Sequence, residues 1–198
     1  MSDSLVILLH GVGSSGADIG GLAPALAPAL PNTRFVSPDG PGRFNAGHQW
    51  FCIDGVTTEN RPARVAAARP AFDAILADII GREGFATRLD RVALVGFSQG
   101  SIMALDVIAS GRWPFAGVVA FSGRLASPEP LEPLKGSKLL LVHGTEDRMM
   151  PVAEVANAET KLSSYGVATR SFIQPGLGHS VSAEGVAEAA KFLDALFA

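Results

Sequence analysis

RVALVGFSQGSIMALDVIAS, residues 91–110, joins two apolar segments through a Gly-Phe-Ser-Gln-Gly turn. Val92, Ala93, Leu94 and Val95 form a continuous rather than alternating run, as in a strand covered on both faces. Beyond the serine, Ile102, Met103, Leu105, Val107 and Ile108 belong to a mostly apolar stretch of helical length. Strand, Gly-x-Ser-x-Gly, helix is the setting in which a nucleophilic serine stands on a sharp turn above a sheet. With 22 glycines in 198 residues the five-letter match is weak alone, and the flanks give it weight. The glycines also have a steric purpose. A turn this tight presses its neighbours against other backbone, where only a residue without Cβ fits cheaply. The bland alternative makes Ser98 a helix N-cap.

The same rhythm runs through the chain. Candidate strands are Leu5–Leu9, Arg34–Ser37, Arg91–Phe97, Gly117–Phe121, Lys138–Val142 and Thr169–Ile173. Candidate helices run from about Ala17 to Leu30, Pro62 to Ile80, Ser101 to Ser110, Ala153 to Tyr165 and Ala183 to Leu196. Pro70 is expected to bend or split the second of these. Strands alternating with helices predict an α/β fold with a mainly parallel sheet and helices on both faces. The Pro-rich SPEPLEPLKG (127–136) reads as a surface loop, and no length is spare for a lid or cofactor domain. Residues 1–198 are therefore expected to form one domain.

Apolar residues make up 47% of the chain and charged residues 18%, a globular balance. A net charge of −3 gives no electrostatic footprint for nucleic acid or an anionic membrane. Cys52 is the sole cysteine, which rules out an internal disulfide and suggests a reducing compartment. It is expected to be a buried, inert thiol. The opening MSDSLVILLHG has too short an apolar run for a signal-peptide core and no basic lead-in. No segment approaches the length of a membrane span, so the expectation is a cytoplasmic protein without stable membrane insertion.

One motif competes with the serine. GVGSSG (11–16) follows the first strand and matches the G-x-G-x-x-G dinucleotide fingerprint, with Asp39 placed where a ribose-binding acid belongs. Against it, the next helix reads ADIGGLAPALAPAL, and Gly20, Gly21 and Pro24 make a poor platform for a pyrophosphate. The fingerprint also leaves GFSQG unexplained. A dinucleotide-binding oxidoreductase is thus the weaker reading. The same loop, read as His-Gly-x-Gly after an early strand, supplies an oxyanion-hole N–H in Ser-dependent α/β hydrolases. The donors would be the N–H groups of Val12 and Gln99, which leaves the side chains at both positions weakly specified.

A serine nucleophile needs a base, and the base needs an orienting acid, in the chain order Ser, Asp or Glu, His. Of His10, His48, His143 and His179, only His179 follows Ser98 and every candidate acid. It lies in PGLGHSVS (175–182), a Gly-rich loop between the last strand and the last helix. His10 and His143 each end a strand in a His-Gly pair and read as structural or pocket-lining; His48 is at most pocket-lining. For the acid, Asp106 falls on the helix after the serine, and Glu129 and Glu132 fall in the Pro-rich loop. Glu154 and Glu159 read as the solvent face of a helix. Asp147 and Glu146 sit in GTEDRMMP (144–151), at the carboxyl edge of the sheet where such sites gather. Asp147 is preferred, with Glu146 as the alternative.

With these pieces in place the chain resembles the phospholipase/carboxylesterase family of α/β hydrolases, which includes the acyl-protein thioesterases. The matching segments are LLHGVG (8–13), NRPARVAAARPAF (60–72), GFSQGS (96–101), AFSGRL (120–125), HGTEDRMMP (143–151) and GLGHSV (176–181). They cover nearly the whole chain in the family's order. The resemblance implies Ser98 as nucleophile, Asp147 as acid, His179 as base, and oxyanion N–H groups from Val12 and Gln99. It further implies a serine carboxylesterase acting on small or short-chain esters through an acyl-enzyme, with acyl-protein thioesterase or lysophospholipase activity as the alternative. No cofactor or metal is implied. HQWFCID (48–54) departs from the family, which often has an aromatic pair followed directly by Asp. Trp50 is assigned to the substrate pocket, and Asp54 is left without a role.

Overall fold

A computed structural model describes residues 2–198. Strands β1 (Ser4–Leu9) and β2 (Thr33–Val36) are separated by two short helices, α1 (Gly16–Gly20) and α2 (Ala23–Leu26), and a 3₁₀ turn at Ala27–Ala29. A hairpin follows, β3 (Gly42–Phe44) with β4 (Gly47–Gln49), and then the long helix α3 (Arg61–Arg82). The rest alternates except between β6 and β7: β5 (Val92–Phe97), α4 (Gln99–Ser110), β6 (Gly117–Phe121), β7 (Lys138–Gly144), α5 (Ala153–Ser164), β8 (Ala168–Gln174) and α6 (Ala183–Phe197).

Six strands form one sheet in the order β2-β1-β5-β6-β7-β8, and every pairing in it is parallel. Side chains alternate between its faces with a period of two. Leu5, Ile7 and Leu9 enter one apolar layer with α3, α4 and α5, whereas Val6 and Leu8 enter the other with α6 and residues 19–30. The central strands β1, β5 and β6 are buried on both faces, which explains their unbroken apolar runs. β8 lies at an edge and carries only half-buried and exposed residues. The expected α/β architecture with helices on both faces is the one observed.

Three local expectations differ. The helix foreseen over 17–30 is broken into α1, α2 and the 3₁₀ turn, as Gly20, Gly21, Pro24 and Pro28 dictate. Pro70 does not split α3, which runs unbroken from Arg61 to Arg82. Pro70 is exposed, so the gap in the hydrogen-bond ladder faces water, while Val65 on one side and Phe72, Leu76 and Ile79 on the other stay buried. The β3–β4 hairpin was not foreseen, because its strands are too short to carry an alternation.

Asp106 has a structural task. Its side chain is fully buried and accepts two bonds from Arg69, at 2.9 Å from Nε and 2.8 Å from Nη2, and a third from Arg112 Nη1 at 2.8 Å. Arg112 Nε also donates to both oxygens of Asp73, which accepts from the Trp113 indole as well. The network fastens α3 to α4 and to the turn that follows it. Removing one partner leaves charges in a largely covered place without compensation. Asp106→Ala is expected to lower the unfolding free energy by about 3–5 kcal/mol in urea titration. A loss under about 1 kcal/mol would reduce the network to the weight of an exposed ion pair.

Candidate active site

Ser98 joins β5 to α4 with φ 53° and ψ −113°, a conformation that a residue with a Cβ adopts only under constraint. The constraint is visible on both sides. Its N–H donates to the Phe121 carbonyl at 3.0 Å, and its own carbonyl accepts from the Ile102 N–H at 3.1 Å. A Cβ on Gly96 would lie 2.5 Å from Ser101 N, and one on Gly100 would lie 2.2 Å from the Leu9 carbonyl oxygen. Both glycines of the motif are thus places where backbone meets backbone. The N-cap alternative fails, since the Ser98 side chain makes no capping bond to α4. Its Oγ stands 3.0 Å from His179 Nε2 instead.

His179 hangs in the loop between β8 and α6, with the Phe97 ring 5.0 Å from its own. Its Nδ1 is 2.7 Å from Asp147 Oδ2. A carboxylate only accepts, so Nδ1 carries the hydrogen and Nε2 presents its lone pair to the serine hydroxyl. Asp147 comes from the loop after β7, and its other oxygen accepts from the N–H groups of Met149 at 2.9 Å and Met150 at 2.8 Å. Burial pushes this carboxyl up, but the Met150 N–H and the bond and charge of His179 outweigh it and hold it below the usual range. His143 Nε2 donates to the Met150 carbonyl at 2.7 Å and closes the acid loop on itself. Ser98, His179 and Asp147 therefore meet as one chain of contacts, while Glu146 points to solvent.

The His-Gly-x-Gly turn lies against the serine. A Cβ on Gly11 would come within 3.3 Å of Ser98 Cβ. Gly13 and Ser14 spend their N–H groups on His48 and Gly11 carbonyls, whereas among the described residues the Val12 N–H has no acceptor. Gln99 opens α4, so its N–H belongs to the first turn, where no partner exists within the helix. The GVGSSG loop is otherwise accounted for by packing and capping. A Cβ on Gly16 would strike the Ser37 carbonyl oxygen at 2.1 Å, Ser15 and Asp18 form a capping box, and Asp39 accepts from Gly16 N–H at 2.7 Å. With its acid so engaged and a first helix of only five residues, the loop is not built as a dinucleotide platform.

Several partners of the site were not legible beforehand. The Gln99 side chain, expected to be unspecified, is buried: Oε1 accepts from Trp50 N–H at 2.7 Å and Nε2 donates to the Phe51 carbonyl at 2.8 Å. Trp50 is 3% exposed, donates its indole N–H to the His10 carbonyl at 2.9 Å, and packs edge-on against Phe72. With Phe51, Cys52 and Arg64 it borders a cavity of about 250 Å³. Cys52 is exposed, which corrects the expectation of a buried thiol; it follows the clasped pair Trp50–Phe51 and faces outward. His10 is fully covered: its Nε2 accepts from Gly40 N–H at 2.8 Å and its Nδ1 donates to the Gly11 carbonyl at 2.7 Å. His48 bonds the Gly40 carbonyl and Arg43. The one available signal was the His-Gly pair at a strand end, a place where an imidazole can tie two loops.

The family model described as Phospholipase/Carboxylesterase matches residues 2–197. The chain belongs to that family. Among relatives of this esterase, Esterase YpfH of Escherichia coli is 35% identical over 183 residues, covering 91% of this chain and 77% of that protein. Carboxylesterase SOBER1 of Arabidopsis thaliana is 27% identical over 203 residues, 92% of this chain and 86% of that one. Among solved structures, esterase PE8 superposes with a TM-score of 0.90 at 35% identity, covering 98% of this chain and 93% of that one. The family makes the protein a hydrolase of esters. No helix among the described residues is long and apolar enough to cross a membrane.

Burial pushes His10 below its ordinary value of 6.5, only partly offset by its bond to Gly11. The unfolded chain therefore takes up a proton here at a higher pH than the folded one. The stability that this provides is complete above about 6.5 and is lost as pH falls through the lower folded value. In urea titrations the drop in stability from pH 7 to pH 5 is expected to be smaller in His10→Asn than in wild type. Equal drops would remove His10 as its source.

Proposed function

We propose that Ser98, His179 and Asp147 hydrolyse carboxylic esters through an acyl-enzyme. The observation that carries this reading is the unbroken run of short contacts from Ser98 Oγ to His179 to Asp147, set on the Gly-bounded turn. As the Ser98 hydroxyl attacks the ester carbonyl, its proton passes to His179 Nε2. Asp147 keeps the imidazole in the right tautomer and stabilises the imidazolium that forms. Its depressed pKa serves this role, because the carboxylate stays ionised beside the cation. The N–H groups of Val12 and Gln99 receive the tetrahedral oxyanion, each such donor being worth about 10²–10³ in rate. His179 then returns the proton to the leaving alcohol and activates the water that releases the acid.

The substrates in this reading are small, short-chain esters. Long-chain lysophospholipids and S-acylated proteins are the alternative. A cytoplasmic location is in keeping with the single exposed thiol, Cys52.

Hydrolysis of p-nitrophenyl esters from acetate to palmitate tests the assignment. Ser98→Ala is expected to abolish turnover without loss of fold, and substantial residual esterase activity would remove it as nucleophile. Asp147→Asn should lower kcat by roughly 10³–10⁴, through the wrong imidazole tautomer. A rate maximum at long chains would move the substrate class to lipid or protein-borne acyl groups.

A further inference from the structure

A second cluster of charge stands at the same edge of the sheet and is used by none of the steps above. Arg61 at the start of α3, Arg124 in the loop after β6 and Glu154 in the first turn of α5 line a cavity of about 250 Å³ with Thr58, Leu125 and Ser127. Each lining segment continues from one that shapes the site. Arg124 stands three residues after Phe121, whose carbonyl holds Ser98 N–H, and α5 follows the Asp147 loop. α3 follows the stretch that the Gln99 side chain clasps at Trp50 and Phe51.

The cavity is short of negative charge. Arg124 Nη2 lies 3.1 Å from Glu154 Oε1, while among the described residues Arg61 makes no ion pair. Two guanidiniums against one carboxylate make the lining itself net positive; Glu59, the other acid near Arg61, is fully exposed. Burial and then the charge of Arg124, with which Arg61 lines the cavity, push the Arg61 guanidinium down, against the smaller opposing charges of Glu154 and Glu59. Arg124 Nε and Ser127 Oγ are buried without a hydrogen-bond partner. A buried donor left so is costly, a cost that a bound acceptor removes. The N-terminus of the 22-residue α3 adds its partial positive charge. A hydrolase of neutral esters has no need of these features.

We propose that this cavity is an anion subsite that receives a carboxylate or phosphate group carried by the ester substrate, with Arg61 and Arg124 determining that specificity. It rests on the reading of Ser98 as an esterase nucleophile. In this reading charged hydrogen bonds from the two arginines and a bond from the Ser127 hydroxyl hold the group, and the preference is for esters that bear it.

Methyl valerate and monomethyl glutarate, equal in chain length and differing in a terminal carboxylate, measure this preference by proton release at constant pH. Wild type is expected to favour the charged ester, and the ratio of kcat/KM for charged over neutral ester is expected to fall about tenfold or more in Arg61→Gln. Arg124→Gln combined with Glu154→Gln, which leaves no stranded carboxylate, is expected to do the same. An unmoved ratio overturns the proposal. Calorimetric titration of glutarate and of inorganic phosphate into Ser98→Ala reads binding without turnover. Binding of one, lost in Ser98→Ala/Arg61→Gln, supports the subsite and identifies the group it takes; binding of neither overturns it. Arg61-dependent anion binding in a protein that hydrolyses no ester at any chain length would sink the esterase reading and leave the subsite standing.

Discussion

The close approach of β1, β5 and the start of α4 is the constraint on which the rest of the molecule depends. Gly96 and Gly100 let the turn fold so tightly that backbone stands where side chains would otherwise be. Ser98 is thereby forced to positive φ and lifted clear of the helix it begins. The cost of that conformation is borne by the surrounding sheet, through the Phe121 carbonyl on one side and the Ile102 N–H on the other. The same contact places Gly11 against Ser98, so that one steric arrangement sets both the proposed nucleophile and the turn that faces it.

Around this turn the protein uses imidazoles and amides as ties. His10 joins the end of β1 to Gly40, His143 closes the acid loop through Met150, and Gln99 holds residues 50 and 51. None of these bonds is made by Ser98 or His179, yet each ties a loop into a fixed place. Deeper in, Asp106 draws Arg69 and Arg112 together beneath the site and keeps α3 at a set distance from α4. Polar groups in such places are costly to bury and costlier to leave half-paired, which ties them to a single arrangement.

The central strands and the three residues of the contact chain were legible because they rest on local rules. Unbroken apolar runs mark strands covered on both faces, and the order serine, acid, histidine, with the acid at 147, leaves His179 as the one eligible base. What escaped notice depends on distant parts of the chain. Gln99 reaches across 49 residues to Trp50, and Asp106 across 37 to Arg69, separations at which no periodicity operates. Pro70 misled for a related reason: its effect on a helix depends on which side faces water, and that is set by the sheet below. The hairpin at 42–49 was invisible because each of its strands has only three residues.

The double duty of Gln99 limits how this esterase can diversify. In the proposed mechanism its backbone N–H receives the oxyanion, while its side chain holds the wall that begins at Trp50. Rate and substrate shape are thus coupled at one position, and exchanging that side chain disturbs both together. Evolutionary exploration of new substrates is channelled elsewhere, to residues that leave the Gln99 clasp on Trp50 and Phe51 intact. Relatives that have changed specificity while keeping their rate should differ there and retain a bidentate amide after the serine.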